Sequence, residues 1–381
     1  MDYFLTDEQK MIVKVAKEIA RDKILPVRQE LDEKEEFPWD AIKALAHAGM
    51  FAAFIPEEYG GAGMGNLELC LITEELAKVC AGVATSYAAS ALGAEPIMLF
   101  GNEEQKRKYL PPIASGEKLA AFALTEPEAG SDVGGVKTRA VRDGDYYILN
   151  GTKQWITNGG EAEIYSVIAS TDPTRGPRGL SAFIVEKGTP GFSFGKKENK
   201  LGIRASATRE LIFEDARVPA TNLLGREGIG FIVAMRTFDR TRTGVGALAL
   251  GIAQGALEEA TKYAKTRVQF GKRISSFQGI QFMLAEMATK VEAARALVYS
   301  VARYIDSGAK DISKYSAMAK LFASDVAMEV TTKAVQIFGG YGYMKDYPVE
   351  KMMRDAKITQ IYEGTNEIQK LVIGTSIIKE A

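Results

Sequence analysis

The run YYILNG at residues 146–151 lies near the middle of a chain of 381 residues. Its tyrosines and isoleucine are typical of a strand, and Asn150-Gly151 is typical of the tight turn that ends one. Short apolar runs follow at residues 164–169, 182–185 and 211–213, with Gly, Pro or Asp between them. The sequence therefore predicts a small β domain in the central third of the chain.

Both flanks of this β region carry helical periodicity instead. Near the N-terminus, Thr6 and Gln9 have the spacing of a capping box that precedes a helix. In the last third, apolar residues repeat every three or four positions, at Leu284, Met287, Val291, Ala294, Val298 and Val301. Helices followed by strands and again by helices indicate an α+β multidomain fold. We expect an α-helical domain over residues 1–120, a β-domain over 121–231 and an α-helical domain over 232–381.

Charge and hydropathy leave few classes of partner open. The chain has 48 basic and 49 acidic side chains, with no long block of one sign, so we expect no nucleic acid and no membrane surface as the main partner. No apolar run reaches the roughly 20 residues that span a bilayer. Because the N-terminal segment MDYFLTDEQK also lacks the features of a signal peptide, we expect a cytoplasmic protein.

Cysteine and histidine are scarce, which narrows the chemistry. Nine residues separate Cys70 from Cys80, a spacing that favours buried free thiols in a reducing compartment over a pair of metal ligands. His47 is the only histidine. A histidine-rich metal site and a Ser-His or Cys-His catalytic pair are therefore excluded, and we expect no metal.

Three glycine-rich segments have the composition of ligand-binding loops. FALTEPEAGSDVGG at residues 122–135 offers the hydroxyls of Thr125 and Ser131 beside glycines that allow a ligand close to the backbone. KQWITNGG at 153–160 presents Trp155, whose ring could stack on a planar cofactor. QIFGGYGY at 336–343 ends a long helix. Taken alone, a polar turn and a core tryptophan are the favoured interpretations of the first two segments. The third is explained by a helix C-cap, which is compatible with contact to a cofactor.

Glu363 is the candidate catalytic residue, in QIYEGTNE at residues 360–367. If its apolar neighbours bury it, the loss of solvation raises the pKa of its carboxyl group. A raised pKa suits a general base that works near neutral pH. An exposed loop glutamate is the alternative.

Together with RVQFGK at residues 267–272, these segments resemble the acyl-CoA dehydrogenase family over the whole chain. The resemblance implies a C-terminal four-helix bundle, a homotetramer, and FAD lying extended between the β-domain and the bundle. It assigns the isoalloxazine contacts to Phe122, Leu124, Thr125, Trp155 and Thr157, and it places Ser131 near the flavin and the CoA chain. It assigns the pyrophosphate and adenine contacts to Arg267, Phe270, Gln278, Gln336 and Gly340 of the adjacent subunit, and further FAD contacts to Thr365 and Glu367.

The resemblance also implies a reaction, the α,β-dehydrogenation of an acyl-CoA thioester. Glu363 would remove the α proton while the β hydride passes to flavin N5, and an electron-transfer flavoprotein would then take the electrons. Some relatives carry their base at the position of Thr241, but threonine cannot serve as one, which leaves Glu363. The substrate would contact Ser131, Phe238, Asp239, Arg242, Tyr362 and Gly364.

The acyl group is less closely defined than the reaction. No arginine lies between Arg28 and Arg107, so the second carboxylate of glutaryl-CoA would lack a partner. Glu95 is either a solvent-facing residue at a helix end or, as in alicyclic acyl-CoA relatives, a second acid near the acyl group. We expect a short-chain or alicyclic acyl-CoA. The alternatives are an acyl-CoA oxidase that uses oxygen and a non-catalytic or nucleic-acid-associated relative on the same fold.

Overall fold

The computed structural model describes residues 1–380. The N-terminal part is helical, and the predicted capping box is confirmed. The Thr6 hydroxyl accepts from the Gln9 backbone N–H at 3.2 Å, and the Gln9 side chain accepts from the Thr6 N–H at 3.0 Å. Its helices are α1 (Asp7–Ile19), α2 (Arg28–Lys34), α3 (Trp39–His47), α4 (Asn66–Ala77), α5 (Ala81–Phe100) and α6 (Glu103–Ala114). Helices α4 and α5 are buried on nearly all sides, as their largely apolar sequences require.

The central part forms one sheet. Its strands are β1 (Ala120–Ala123), β2 (Arg139–Asp143), β3 (Tyr146–Thr157), β4 (Ile164–Ser170), β5 (Leu180–Glu186), β6 (Phe192–Lys197), β7 (Thr208–Pro219) and β8 (Leu223–Leu224). The strand order is β6-β7-β3-β2-β4-β5-β8, with β1 parallel to β4. The β region that the sequence predicts is confirmed, and its strands lie between the two helical parts of the chain.

The predicted turn at Asn150-Gly151 is wrong. Strand β3 continues through these residues and pairs with β7 on both sides of a register shift between Leu149 and Gly151. The Asn150 side chain bonds to Asp215 of β7 in both directions, accepting from the Asp215 N–H at 2.8 Å and donating to Asp215 Oδ1 at 3.0 Å. Asn150 alone stands opposite Glu214 and Asp215, so the extra residue of this β-bulge lies on β7. Asn150 and Gly151 therefore lie opposite a bulge and do not form a turn.

The C-terminal part is helical again and begins with a helix of 37 residues. Its elements are α7 (Gly230–Thr266), a ribbon of β9 (Val268–Gln269) and β10 (Lys272–Arg273), α8 (Gln278–Asp306), α9 (Ser313–Phe338), α10 (Val349–Ile358) and α11 (Asn366–Glu380). The predicted apolar face of α8 is confirmed, with Met287, Val291, Ala294, Val298 and Val301 buried.

Helix α7 joins the three parts, since it packs against α4 and α5, against β5 and against α8 and α9. At its N-terminal end, Phe238 meets Phe122 of β1 edge to face, with the ring centroids 5.5 Å apart. Helix α5 lies close to β1 because Gly93 has no side chain, and a Cβ there would stand 2.4 Å from the Ala121 nitrogen. Among the helices of residues 1–380, none combines the length and the apolar character needed to cross a membrane.

Candidate active site

The turn between α10 and α11 carries Glu363 to the N-terminal third of α7. The Thr241 hydroxyl of α7 lies 2.7 Å from Glu363 Oε2 and donates to it. The backbone of Glu363 is left-handed, with φ of 51°, a conformation that is uncommon for residues other than glycine and is often found at functional sites. The structure therefore brings together Glu363 and Thr241, the two alternative positions for a base.

Hydrogen bonds from three elements fix this turn. Gln369 Nε2 of α11 donates to the carbonyls of Glu363 and Gly364 at 3.2 and 2.8 Å. Lys320 Nζ of α9 donates to the Gly364 carbonyl at 2.8 Å, and Arg242 Nε of α7 approaches the Glu363 carbonyl at 3.5 Å. Gly364 has a φ of +90°, and a Cβ there would stand 2.8 Å from Gln369 Nε2. Glycine is thus needed directly after the glutamate.

The carboxyl group of Glu363 is half-buried and partly desolvated. Burial raises its pKa, while the Thr241 hydroxyl and the charges of Arg242 and Lys320 act in the opposite direction. A carboxylate held in this way is a stronger base than one in water, yet its positive neighbours favour the ionised form. The alternative of an exposed loop glutamate is excluded.

The proposed substrate contacts on α7 surround this carboxylate. Asp239 is buried and accepts from Arg242 Nη1 at 3.2 Å, and burial raises the pKa of Asp239 and lowers that of Arg242. The Arg242 guanidinium carbon lies 5.9 Å from the centre of the Phe238 ring. Burial, together with the neighbouring Glu363 carboxylate, raises the pKa of Tyr362. A charged pair, an aromatic ring and the Glu363 carboxylate thus meet where β1 approaches α7.

The interpretation of Trp155 as a core residue is wrong. Its indole is 57% exposed, and its backbone is left-handed with φ of 58°. A register shift between Lys153 and Ile156 interrupts the pairing of β3 with β7, and Trp155 lies within this bulge of β3. The ring is therefore available to a ligand. Thr157 and Thr125 are half-buried nearby on β3 and its neighbouring loop, with Phe122 and Leu124 buried and Ser131 exposed.

A buried ion pair supports the loop that follows β1. Lys153 Nζ donates to Glu126 Oε1 at 2.7 Å and to the Leu124 carbonyl at 2.9 Å. Glu126 also accepts from the backbone N–H groups of Lys137 and Thr138, at 2.6 and 3.0 Å. These bonds fix both ends of the glycine-containing segment at residues 126–138.

The second group of predicted cofactor contacts lies at the far end of α7. The Arg267 guanidinium carbon stands 5.2 Å from the centre of the Tyr341 ring, beside Gly340. Phe270 is 93% exposed, and Gln278 and Gln336 are exposed at the first turn of α8 and the last turn of α9. At about 1.5 Å per residue, some 24 residues of α7 put this group roughly 36 Å from Arg242. Within one chain, the predicted pyrophosphate and adenine contacts therefore do not come together with the predicted isoalloxazine contacts.

Thr365 and Glu367 follow the base at the start of α11. The Thr365 hydroxyl accepts from the Ile368 N–H at 3.3 Å, which caps the helix. Glu367 is exposed. A hydrogen bond from the backbone N–H of Glu367 to its own carboxylate is the largest cause of the lowered pKa of Glu367.

Two structural features of the site were not predicted. The interpretation of Glu95 as solvent-facing is wrong, because it is buried against Arg240 of α7 and forms an ion pair with it; burial raises its pKa. Lys320, also fully buried, was not singled out from the sequence. The sequence could have pointed to Lys320, because a lysine between Ala317 and Ala323 interrupts the apolar face of α9.

Comparison with known proteins covers almost the whole chain. Residues 6–117, 121–216 and 228–378 match the models of the acyl-CoA dehydrogenase N-terminal, middle and C-terminal domains. The chain is 52% identical, over 100% of both chains, to the "Acyl-CoA dehydrogenase, short-chain specific" of Clostridium acetobutylicum.

Two solved structures are similar over nearly their full length. The butyryl-CoA dehydrogenase of Megasphaera elsdenii matches with a TM-score of 0.97 and 51% identity, covering 99% of this chain and 100% of that one. A chain solved in work on the electron transferring flavoprotein of Acidaminococcus fermentans matches with a TM-score of 0.97 and 54% identity, covering 100% of both.

Proposed function

The chain belongs to the acyl-CoA dehydrogenase family, and we propose on that premise that it dehydrogenates a short-chain acyl-CoA thioester with Glu363 as the base. Members of the family are FAD-dependent oxidoreductases that act on CH–CH bonds. The observation that carries the proposal is the partly desolvated Glu363 carboxylate, which is held by Thr241 at 2.7 Å on a fixed turn.

The residues near Glu363 account for the first half of the reaction. The carboxylate removes the α proton of the thioester, and negative charge develops on the thioester oxygen. The backbone N–H of Glu363 is proposed to stabilise that charge, since its turn is rigid before the substrate arrives. Phe238, Tyr362 and the Asp239–Arg242 pair bound the space for the substrate, and Gly364 leaves room for it next to the base.

The exposed face of Trp155, with the hydroxyls of Thr125 and Thr157, fits a planar heterocycle and supports FAD as the group held here. We propose that Phe122, Leu124, Thr125, Ser131, Trp155 and Thr157 hold its isoalloxazine region. Bound FAD supplies the acceptor for the β hydride.

The remaining FAD contacts are proposed to come from a second subunit. These contacts lie at the far end of α7, roughly 36 Å along the helix from Arg242, which is farther than an extended FAD reaches. They are Arg267, Phe270, Gln278, Gln336 and Gly340. A neighbouring chain can place its own copies of these residues within reach of the same FAD. Thr365 and Glu367 are proposed to complete the site. A homotetramer provides such neighbours, and the exposed Phe270 and Tyr343 are suited to an interface between chains.

The relatives support the proposed substrate and electron acceptor, and the two cysteines support the proposed cellular location. The match to a short-chain enzyme supports a substrate such as butyryl-CoA, and the match to a chain from the electron transferring flavoprotein work supports that protein as acceptor. The burial of Cys70 and Cys80 as free thiols agrees with a reducing compartment and supports the cytoplasm.

Anaerobic titration of the purified holoenzyme with butyryl-CoA tests the proposal. We expect bleaching of the flavin band, and in Glu363→Gln we expect the bleaching rate to fall by a factor of about 10² to 10⁴ or more while the flavin content stays normal. Glu30→Gln, on an exposed residue of α2, is the control and should bleach like the wild type. Glutaryl-CoA and cyclohexanecarboxyl-CoA complete the panel.

Full-rate bleaching of Glu363→Gln would reject Glu363 as the base, and bleaching by none of the thioesters would reject the substrate class. Admission of air after reduction separates the oxidase alternative, since an oxidase recovers its flavin band rapidly while a dehydrogenase waits for the electron-transfer flavoprotein.

A further inference from the structure

Lys320 is a fully buried lysine that lies directly beneath the Glu363-Gly364 turn. Its ammonium group donates to the Gly364 carbonyl at 2.8 Å and to Asn366 Oδ1 at 2.9 Å. Asn366 in turn donates to Ser324 at 2.9 Å and to Asp325 at 2.8 Å. Two acceptors therefore contact a charge that is expensive to bury.

The charged groups around Lys320 belong to each element that packs against it. Glu363 of the turn, Asp325 of α9 and Glu367 of α11 favour its charged form, whereas Arg242 of α7 opposes it. Burial is the largest influence, and the balance lowers the pKa of Lys320 to about 7. The lysine thus changes its charge within the pH range in which the enzyme is expected to work.

We propose that Lys320 is a positioning residue whose ammonium group fixes the Glu363-Gly364 turn and keeps the carboxylate of Glu363 ionised on the acidic side of neutrality. The proposal rests on the proposed role of Glu363 as the base. The two functions of Lys320 are separable, because a neutral hydrogen-bond donor can hold the Gly364 carbonyl but cannot repel a proton from Glu363.

The sign of the effect follows from the neighbouring charges. Below pH 7 Lys320 is positive and lowers the pKa of Glu363, which offsets part of the increase caused by burial. Above pH 7 the lysine is largely neutral, and its removal changes little. Loss of the charge on Lys320 therefore shifts the acid limb of the pH–activity profile to higher pH and leaves the rate on the alkaline side nearly unchanged.

Two substitutions test the proposal, since Lys320→Met removes both the charge and the donor whereas Lys320→Gln removes only the charge. In both we expect the acid limb of kcat for butyryl-CoA oxidation to rise by about one pH unit, so that the rate well below pH 7 falls about tenfold. Lys333→Met is the control, because Lys333 lies on the same helix and forms surface ion pairs with Glu286 and Glu329.

A second measurement does not depend on flavin reduction. Acetoacetyl-CoA has an acidic α proton, and its transfer to Glu363 leaves an enolate whose absorbance can be followed as the pH is varied. We expect the same upward shift of the midpoint in both Lys320 variants and no shift in Lys333→Met. Thermal midpoint and flavin content show that each variant is folded.

The outcomes distinguish the two proposals. If Glu363→Gln forms the enolate as readily as the wild type, the proposed base is wrong and the role of Lys320 falls with it. If Glu363→Gln is inactive but Lys320→Met and Lys320→Gln keep the wild-type profile, only the role of Lys320 is rejected. A loss in Lys320→Met that is equal at all pH values, with Lys320→Gln normal, would leave Lys320 as a backbone support and overturn its electrostatic role.

Discussion

At the residue scale, the Thr241 hydroxyl has one proton and two possible acceptors, and one of them is the Glu363 carboxylate. Thr241 Oγ1 lies 2.7 Å from Glu363 Oε2 and 3.1 Å from the Thr237 carbonyl. It can donate to the carboxylate when Glu363 is ionised and to the carbonyl when Glu363 carries its own proton. A hydrogen bond to a charged acceptor is the stronger of the two, so Thr241 favours the ionised base.

Thr241→Val should raise the acid limb of kcat for butyryl-CoA by about one pH unit, because the lost bond to a charged group is worth about 1.5 kcal/mol or more. The rate well above that limb should be nearly unchanged. Thr261→Val, on the same helix with its hydroxyl bonded to the Leu257 carbonyl, should show no shift. A pH profile of each variant makes the comparison, and identical profiles would show that Thr241 does not influence the base.

The sequence indicated Glu363 as a candidate, but it pointed to Thr241 only as an alternative position for a base and did not point to Lys320. The run QIYEGTNE could be recognised locally, whereas Thr241 and Lys320 lie 122 and 43 residues before Glu363. Contacts across such distances depend on how α7 and α9 pack around the turn, and no local pattern encodes that packing. The same limit applies to Glu95, whose partner Arg240 lies 145 residues away.

At the element scale, β3 and the loop after β1 are joined by the buried Lys153–Glu126 pair. Helix and strand types were largely predictable from periodicity, because each buried face repeats along its own element. The exceptions lie in β3. Asn150-Gly151 has the sequence of a turn but lies opposite a bulge of β7, and Trp155 lies in a second bulge, whose extra residue is on β3. In both places the conformation depends on the pairing of β3 with β7.

Lys153→Met should lower the free energy of unfolding by about 3–5 kcal/mol, because it leaves the Glu126 carboxylate buried without its partner. The flavin should also bind more weakly, since the loop at residues 126–138 loses its support. Denaturant titration and flavin content measure the two effects.

Lys108→Met is the matched control, because Lys108 and Glu186 form an exposed pair at 2.7 Å. Its loss should cost about 1 kcal/mol or less. The double variant Lys153→Met/Glu126→Gln should recover part of the stability by removing the unpaired charge. Equal effects of Lys153→Met and Lys108→Met would contradict this account of the loop.

At the scale of the whole molecule, a single chain keeps the proposed cofactor contacts at the two ends of α7 apart and leaves large apolar side chains exposed. Phe270 is 93% exposed, Tyr343 80% and Phe282 59%. Phe270 also has a left-handed backbone, with φ of 52°. Contact with another copy is the proposed explanation for the exposure of Phe270 and Tyr343.

Light scattering should give four times the chain mass for the holoenzyme. Phe270→Ser should lower the flavin content and shift the mass towards smaller species, because the substitution removes apolar area from the proposed contact. Phe4→Ser changes a phenylalanine that is 90% exposed near the N-terminus and should leave both properties unchanged. A holoenzyme that is fully loaded as a monomer would reject the shared cofactor site.

The contacts of helix α7 limit the ways in which this chain could have changed during evolution. Because it is in contact with both helical parts and with the sheet, a chain cut before Gly230 would lose the partner of α4 and α5, and the remainder would expose the faces that those helices cover. Modules that share one helix in this way cannot be exchanged singly between genes. We expect the lineage to have changed by replacement of side chains on an intact frame, in keeping with relatives that align over their entire length.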